Sequence, residues 1–129
     1  MCVWRTTYFQ TEGKTLMDFA EFQKNAESTA IYPGKKALLG TAYVALGLAG
    51  EAGEVANKVK KVIRDNGGVV DGFYEDQIVD EMGDVLWYLS SLATELGVSL
   101  NFVASRNQLK LKRRAETGKL QGDGDRANT

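Results

Sequence analysis

Histidine is absent from this chain, and cysteine and proline occur once each. Without an imidazole there is no Ser-His or Cys-His nucleophilic couple, no ordinary His-bearing zinc site and no Glu-x-x-His iron ligation of the kind built into helix bundles. The lone Cys2 has no partner for an internal disulfide, which fits a reducing compartment. Neither sign of charge is in surplus: 16 basic and 17 acidic side chains leave a formal charge of -1. The overall field therefore draws in neither nucleic acid nor an anionic membrane. Long apolar runs are missing as well. The longest, residues 37–49, is broken by Gly40, Thr41 and Gly47 and falls short of the roughly 20 residues a membrane span requires. The opening MCVWRTTYFQTEG has no apolar segment of signal-peptide type. The expectation is a soluble, cytoplasmic protein with no nucleic-acid or membrane partner.

What is present reads as helix. At 129 residues the chain has the length of one ordinary domain. Residues 1–14 show no clean period and are expected to be irregular. Thr15 can cap a first helix, LMDFAEFQKNAEST, which presents Leu16, Phe19, Phe22, Gln23 and Ala26 on one side. Tyr32-Pro33-Gly34 breaks the chain. A second helix is predicted from Lys36 to about Asp65, stopped by Asn66-Gly67-Gly68. A third begins at Asp71 or Tyr74 and stops at Gly97, and Ser99 caps a fourth that ends near Gly118. Residues 119–129 form a polar tail, and no segment alternates as a strand would. The fold class is all-α, with one helical domain over residues 15–118.

The second helix carries three glycines, Gly47, Gly50 and Gly53, beside two carboxylates, Glu51 and Glu54. On a wheel centred on Leu48, Val44, Ala52, Val55, Val59 and Val62 lie within about 40° of it, and Glu51 and Glu54 fall about 60° and 120° away. The third helix repeats the arrangement. With Ile78 at the centre of a stripe made by Met82, Val85, Leu89, Leu92 and Leu96, Glu81 and Asp84 take the same offsets, about 60° and 120°, with the same hand. Carboxylates beside an apolar stripe suffer desolvation and repel one another. A hard divalent cation such as Mg²⁺ or Mn²⁺ relieves both penalties, and i, i+3 pairs on two facing helices supply oxygen ligands for one to three such ions. The blander expectation is a solvated face, with Glu54 paired to Lys58 at i, i+4 and a basic run through Lys60, Lys61 and Arg64. Each internal glycine costs about 1 kcal/mol relative to alanine. For Gly50 and Gly53, on the back of the helix, the expected compensation is close approach of another helix.

GLAGEAGEVANKVKK followed by VDEMGDVLWYLSSLATELGVSL resembles the MazG-like nucleotide pyrophosphohydrolases of the all-α nucleoside-triphosphate pyrophosphatase superfamily, in particular its small phage and bacterial members. The shared motif stands here as Glu51-x-x-Glu54, a spacer of 26 residues, and Glu81-x-x-Asp84. Phe22-Gln23 and Thr29 resemble first-helix residues that shape the nucleotide site, and Asn107-x-x-Lys110-Leu111-x-x-Arg114 resembles a fourth-helix pattern that supplies phosphate contacts. Roughly residues 16–120 are covered.

The resemblance implies a four-helix-bundle-like fold and a Mg²⁺-dependent hydrolysis of a nucleoside triphosphate to the monophosphate and pyrophosphate, with Mn²⁺ as a substitute ion. Carried over by position, Glu51, Glu54, Glu81 and Asp84 hold metal, and one of them also orients or deprotonates water. Gln23, Lys61, Tyr88, Asn107 and Lys110 are the expected substrate contacts, and Trp87 is expected at a subunit contact. It also implies a homodimer or homotetramer. Two alternatives stand beside this reading: a nucleotide-binding relative without turnover, and a structural helical oligomer whose acids form ion pairs.

Overall fold

The computed structural model describes residues 17–121, and the expectations for residues 1–14 and for the Thr15 cap and Leu16 lie outside them. The described residues contain four α-helices and no strand: α1 (Phe19–Thr29), α2 (Leu38–Asp65), α3 (Gly72–Glu95) and α4 (Leu100–Glu116). The caps are local chemistry. Asp18, Asp71 and Ser99 accept from the backbone N–H groups of Glu21, Tyr74 and Phe102 at 2.8, 3.1 and 3.0 Å, satisfying donors that the first turn leaves open. The Asp18 cap sets the start of α1 three residues later than its apolar period alone predicts. Gly67, Gly97 and Gly118 follow α2, α3 and α4 at positive φ, the left-handed geometry that closes a helix.

The second helix also begins later than expected. Lys36 takes φ +61°, which a helix cannot include, and Ala37 offers α2 no side-chain cap. The Gly34 carbonyl accepts from the Ala37 and Gly40 N–H groups at 3.1 and 2.9 Å, and the residues just before the helix are held from a distance. Glu95, at the end of α3, accepts from the backbone N–H of Lys36 at 2.8 Å and from the Tyr32 hydroxyl at 2.6 Å. Its negative charge stands at the positive end of the α2 dipole. The Tyr32 hydroxyl is held well above its ordinary value, first by burial and then by Glu95. Replacing Glu95 with alanine is expected to destabilise the fold by about 2 kcal/mol, the scale of hydrogen bonds to a charged acceptor. Urea denaturation checks this, and Tyr32→Phe should cost less because the Lys36 bond survives.

The chain's main packing is the hairpin of α2 and α3, with α1 and α4 against α3 and against each other; no Cα of α2 comes within 8 Å of one in α1 or α4. The hairpin keeps a constant antiparallel register: Gly40 faces Glu95, Gly47 faces Tyr88 and Lys58 faces Gln77. That register sets Glu51 level with Asp84. The face of α2 turned to α3 comprises Gly40, Val44, Gly47, Glu51, Val55, Lys58 and Val62, all buried or half-buried. Its centre lies close to Glu51, about 60° from the Leu48 centre that the sequence suggests. The expected stripe is thus displaced. Ala52 and Val59 are exposed, as are Met82 and Leu96 on α3. Small residues, Ser90, Ser91 and Ala93, form the buried centre of α3.

Exposed apolar side chains gather instead on the other flank of α2, where Leu38, Val59 and Ile63 are 84, 43 and 68% exposed.

Candidate metal centre

The register of the hairpin brings the predicted acids together from two helices. Glu51, Glu81 and Asp84 each offer a carboxylate oxygen, and these atoms all lie within 4.8 Å of one another. Two opposite ligands of one Mg²⁺ at about 2.1 Å would be about 4.2 Å apart, so modest side-chain rotation closes the set on an ion. The donors are all hard oxygens, the chemistry Mg²⁺ and Mn²⁺ prefer. Glu54 is exposed and outside the converging three. Burial raises the Glu51 carboxyl above its ordinary 4.5, and Asp84, Glu81 and Glu54 raise it further by repulsion. This mutual repulsion is what a divalent cation would remove.

The cation already present in the seam is one that sequence reasoning set aside. Lys58 reaches across to Glu81 Oε1 at 3.3 Å and donates to Gln77 Oε1 at 3.3 Å. Its ion pair crosses between helices instead of running along α2 to Glu54. The signal in the sequence was its position three turns from Gly47 on the packed face, visible only once that face is known.

Tyr88 forms one wall of the site. It lies over Gly47, whose hydrogen leaves room for the ring. Its hydroxyl is raised from its ordinary value by burial first, then by Tyr43, Glu51 and Asp84. Trp87 packs edge-on to Tyr88 at 4.9 Å and to Tyr32 at 6.4 Å, and Tyr32 stacks on Tyr43 at 5.6 Å. Trp87, expected at a subunit contact, donates its indole N–H to Thr29 Oγ1 at 2.9 Å, tying α3 to α1 within one chain.

The other candidates are dispersed. Gln23 donates to Thr94 Oγ1 at 3.1 Å and to the Val98 carbonyl at 3.0 Å, and accepts from the Leu100 N–H at 2.9 Å. Its amide thereby fastens α1 to the turn between α3 and α4. Lys61 is half-buried on α2, one turn beyond Lys58. Asn107 and Lys110 line a broad basic groove on α4 with Arg106, Arg113 and Arg114. None of the four acids lines that groove, and no Cα of α4 comes within 8 Å of one in α2. Among the described residues, Gly50 and Gly53 have no atom within 4 Å of the position a Cβ would take, so the expected close helix contact is not made by α1, α3 or α4. Gly47 is the glycine that packing requires.

No helix among the described residues is long and apolar enough to cross a membrane. No solved structure matches the chain. It is 48% identical over 107 residues to the "Gene 37 protein" of Mycobacterium phage L5, an alignment covering 81% of this chain and 94% of the phage protein. The family model of the MazG nucleotide pyrophosphohydrolase domain matches residues 41–118, which hold both acid pairs, Tyr88 and all of α4. With its four helices, its facing Glu-x-x-Glu and Glu-x-x-Asp pairs and this match, the chain belongs to the MazG nucleotide pyrophosphohydrolase family.

Proposed function

We propose that this protein hydrolyses nucleoside triphosphates to the monophosphate and pyrophosphate in a Mg²⁺-dependent reaction. The observation that carries the reading is the convergence of Glu51, Glu81 and Asp84 across the hairpin, within a chain of a pyrophosphohydrolase family. A bound Mg²⁺ or Mn²⁺ neutralises triphosphate oxygens and makes water a better nucleophile. Glu51, Glu81 and Asp84 would hold the ion, joined by Glu54. Water oxygen bonds to the α-phosphorus and the α–β bridging oxygen leaves with pyrophosphate. One of the four carboxylates takes the proton. Such transfers need positioning and charge compensation more than a protein nucleophile, which suits a chain without histidine.

Tyr88, beside the acids, and Lys61, two turns along α2 from Glu54, are the substrate contacts within one chain. Asn107 and Lys110 join them only across a subunit boundary. The exposed apolar flank of α2 supports a homodimer or homotetramer, because apolar patches of this kind mark interfaces. A cytoplasmic location follows from the nucleotide substrate. The Lys58 to Glu81 ion pair favours the structural alternative for one acid of the four, leaving Glu51 and Asp84 without a lysine or arginine ion pair among the described residues.

The test is pyrophosphate release from a panel of canonical and modified ribonucleoside and deoxynucleoside triphosphates, with and without Mg²⁺. Metal-dependent release of pyrophosphate and monophosphate in equal amounts is expected. Release of orthophosphate, or no turnover of any member of the panel, would sink the proposal.

A further inference from the structure

Lysines on solvated helix faces gain little from their ion pairs. Lys58 is placed differently. It lies in the seam between α2 and α3, where the side chains of Lys58 and Glu81 are only 20 and 19% exposed, and its ammonium is held from two sides by Glu81 and Gln77. Glu81 in turn belongs to the group whose oxygens converge within 4.8 Å. One carboxylate thus faces two claims: the ammonium of Lys58, and any cation held jointly with Glu51 and Asp84.

Three carboxylates this close repel one another. In a partly dehydrated seam that repulsion is screened poorly. A single positive charge on Glu81 offsets part of it without a metal. The same charge then opposes entry of a divalent cation, since Glu81 must exchange partners and the ammonium stays nearby. We infer that Lys58 is the built-in counter-ion of the acid seam: it holds Glu81 in the metal-free protein and gives way when a divalent cation binds. The inference rests on the metal reading above. Lys58 is a positioning residue, acting through Glu81, and it sets how much cation is needed to load the site.

The test is calorimetric titration of the intact protein with Mn²⁺ and with Mg²⁺, comparing wild type with Lys58→Met and Lys58→Arg, together with melting temperatures before and after loading. Lys58→Met is expected to bind either ion about ten-fold more tightly, because a like charge has been removed. Its metal-free form should melt lower than wild type, and its metal-induced rise should be larger. Lys58→Arg should restore the wild-type affinity. Should Lys58→Met fold poorly, Lys58→Gln removes the charge while keeping a donor for Gln77, and the same ten-fold tightening is expected. Equal or weaker metal binding by the neutral variants would overturn the inference, as would an equal loss of melting temperature in the metal-free and loaded forms, the mark of a purely structural ion pair. A wild-type protein that bound neither ion would instead bring down the metal reading itself, so the two failures are distinguishable.

Discussion

Replacing Glu51 with glutamine is expected to raise the melting temperature of the metal-free protein and to reduce pyrophosphate release by at least about 100-fold, the scale of losing a group that organises transition-state charge. Both effects come from the place of Glu51 at the centre of the packed face of α2, level with Asp84. Its carboxyl is raised above 4.5 by burial and then by Asp84, Glu81 and Glu54. A group whose pKa is higher folded than unfolded binds its proton more tightly in the native state, so its contribution to stability is present at low pH and declines as pH rises through the raised value. The stability gap between Glu51→Gln and wild type should therefore close near pH 4 and open toward neutrality. Thermal melts in chelator across that range measure it. Added Mg²⁺ should reverse the order, because only wild type gains stability from an ion that binds the folded state. Full activity in Glu51→Gln would refute its role as a ligand.

Gly47→Ala is expected to damage the protein even though alanine is the better helix former. A Cβ at residue 47 would overlap the Tyr88 ring, standing 2.5 Å from Cδ1 and Cζ. The ring has little freedom to move, because Trp87 packs against it and is itself fixed to Thr29. Overpacking of this kind costs about 1–3 kcal/mol, against about 1 kcal/mol returned by helix propensity. The net result should be lower stability together with a fall in kcat, since Tyr88 borders Glu51 and Asp84. Gly50→Ala and Gly53→Ala provide the contrast. Both positions open onto empty space, so each alanine should stabilise by up to about 1 kcal/mol. Urea titrations of the three variants decide the matter. Destabilisation at Gly50 or Gly53 would place a second copy of the chain against that side of α2.

The sequence by itself determined the elements and their chemistry. Helix periods, the Ser99 cap and the glycine stops after α2, α3 and α4 are local interactions, made within a turn or two of chain, and they stand as read. The acid pairs were legible for the same reason: an i, i+3 spacing fixes two side chains on one side of a helix before any packing occurs. The start of α2 was not legible, because the left-handed Lys36 that delays it is held by Glu95, nearly sixty residues away.

Tertiary structure decided which way the helices face. The apolar stripe of α2 is broad, and its centre on Leu48 averages two surfaces: the seam with α3, centred near Glu51, and an exposed flank running from Leu38 to Ile63. A wheel drawn from one chain cannot separate residues that face a partner helix from residues left outside it, since both are apolar and only mutual packing distinguishes them. The same rotation decides that Gly47, and not Gly50 or Gly53, lies under an aromatic ring, that Trp87 finds Thr29, and that Lys58 meets Glu81. Spacing along a helix fixes which residues travel together; packing against a second helix fixes what they meet.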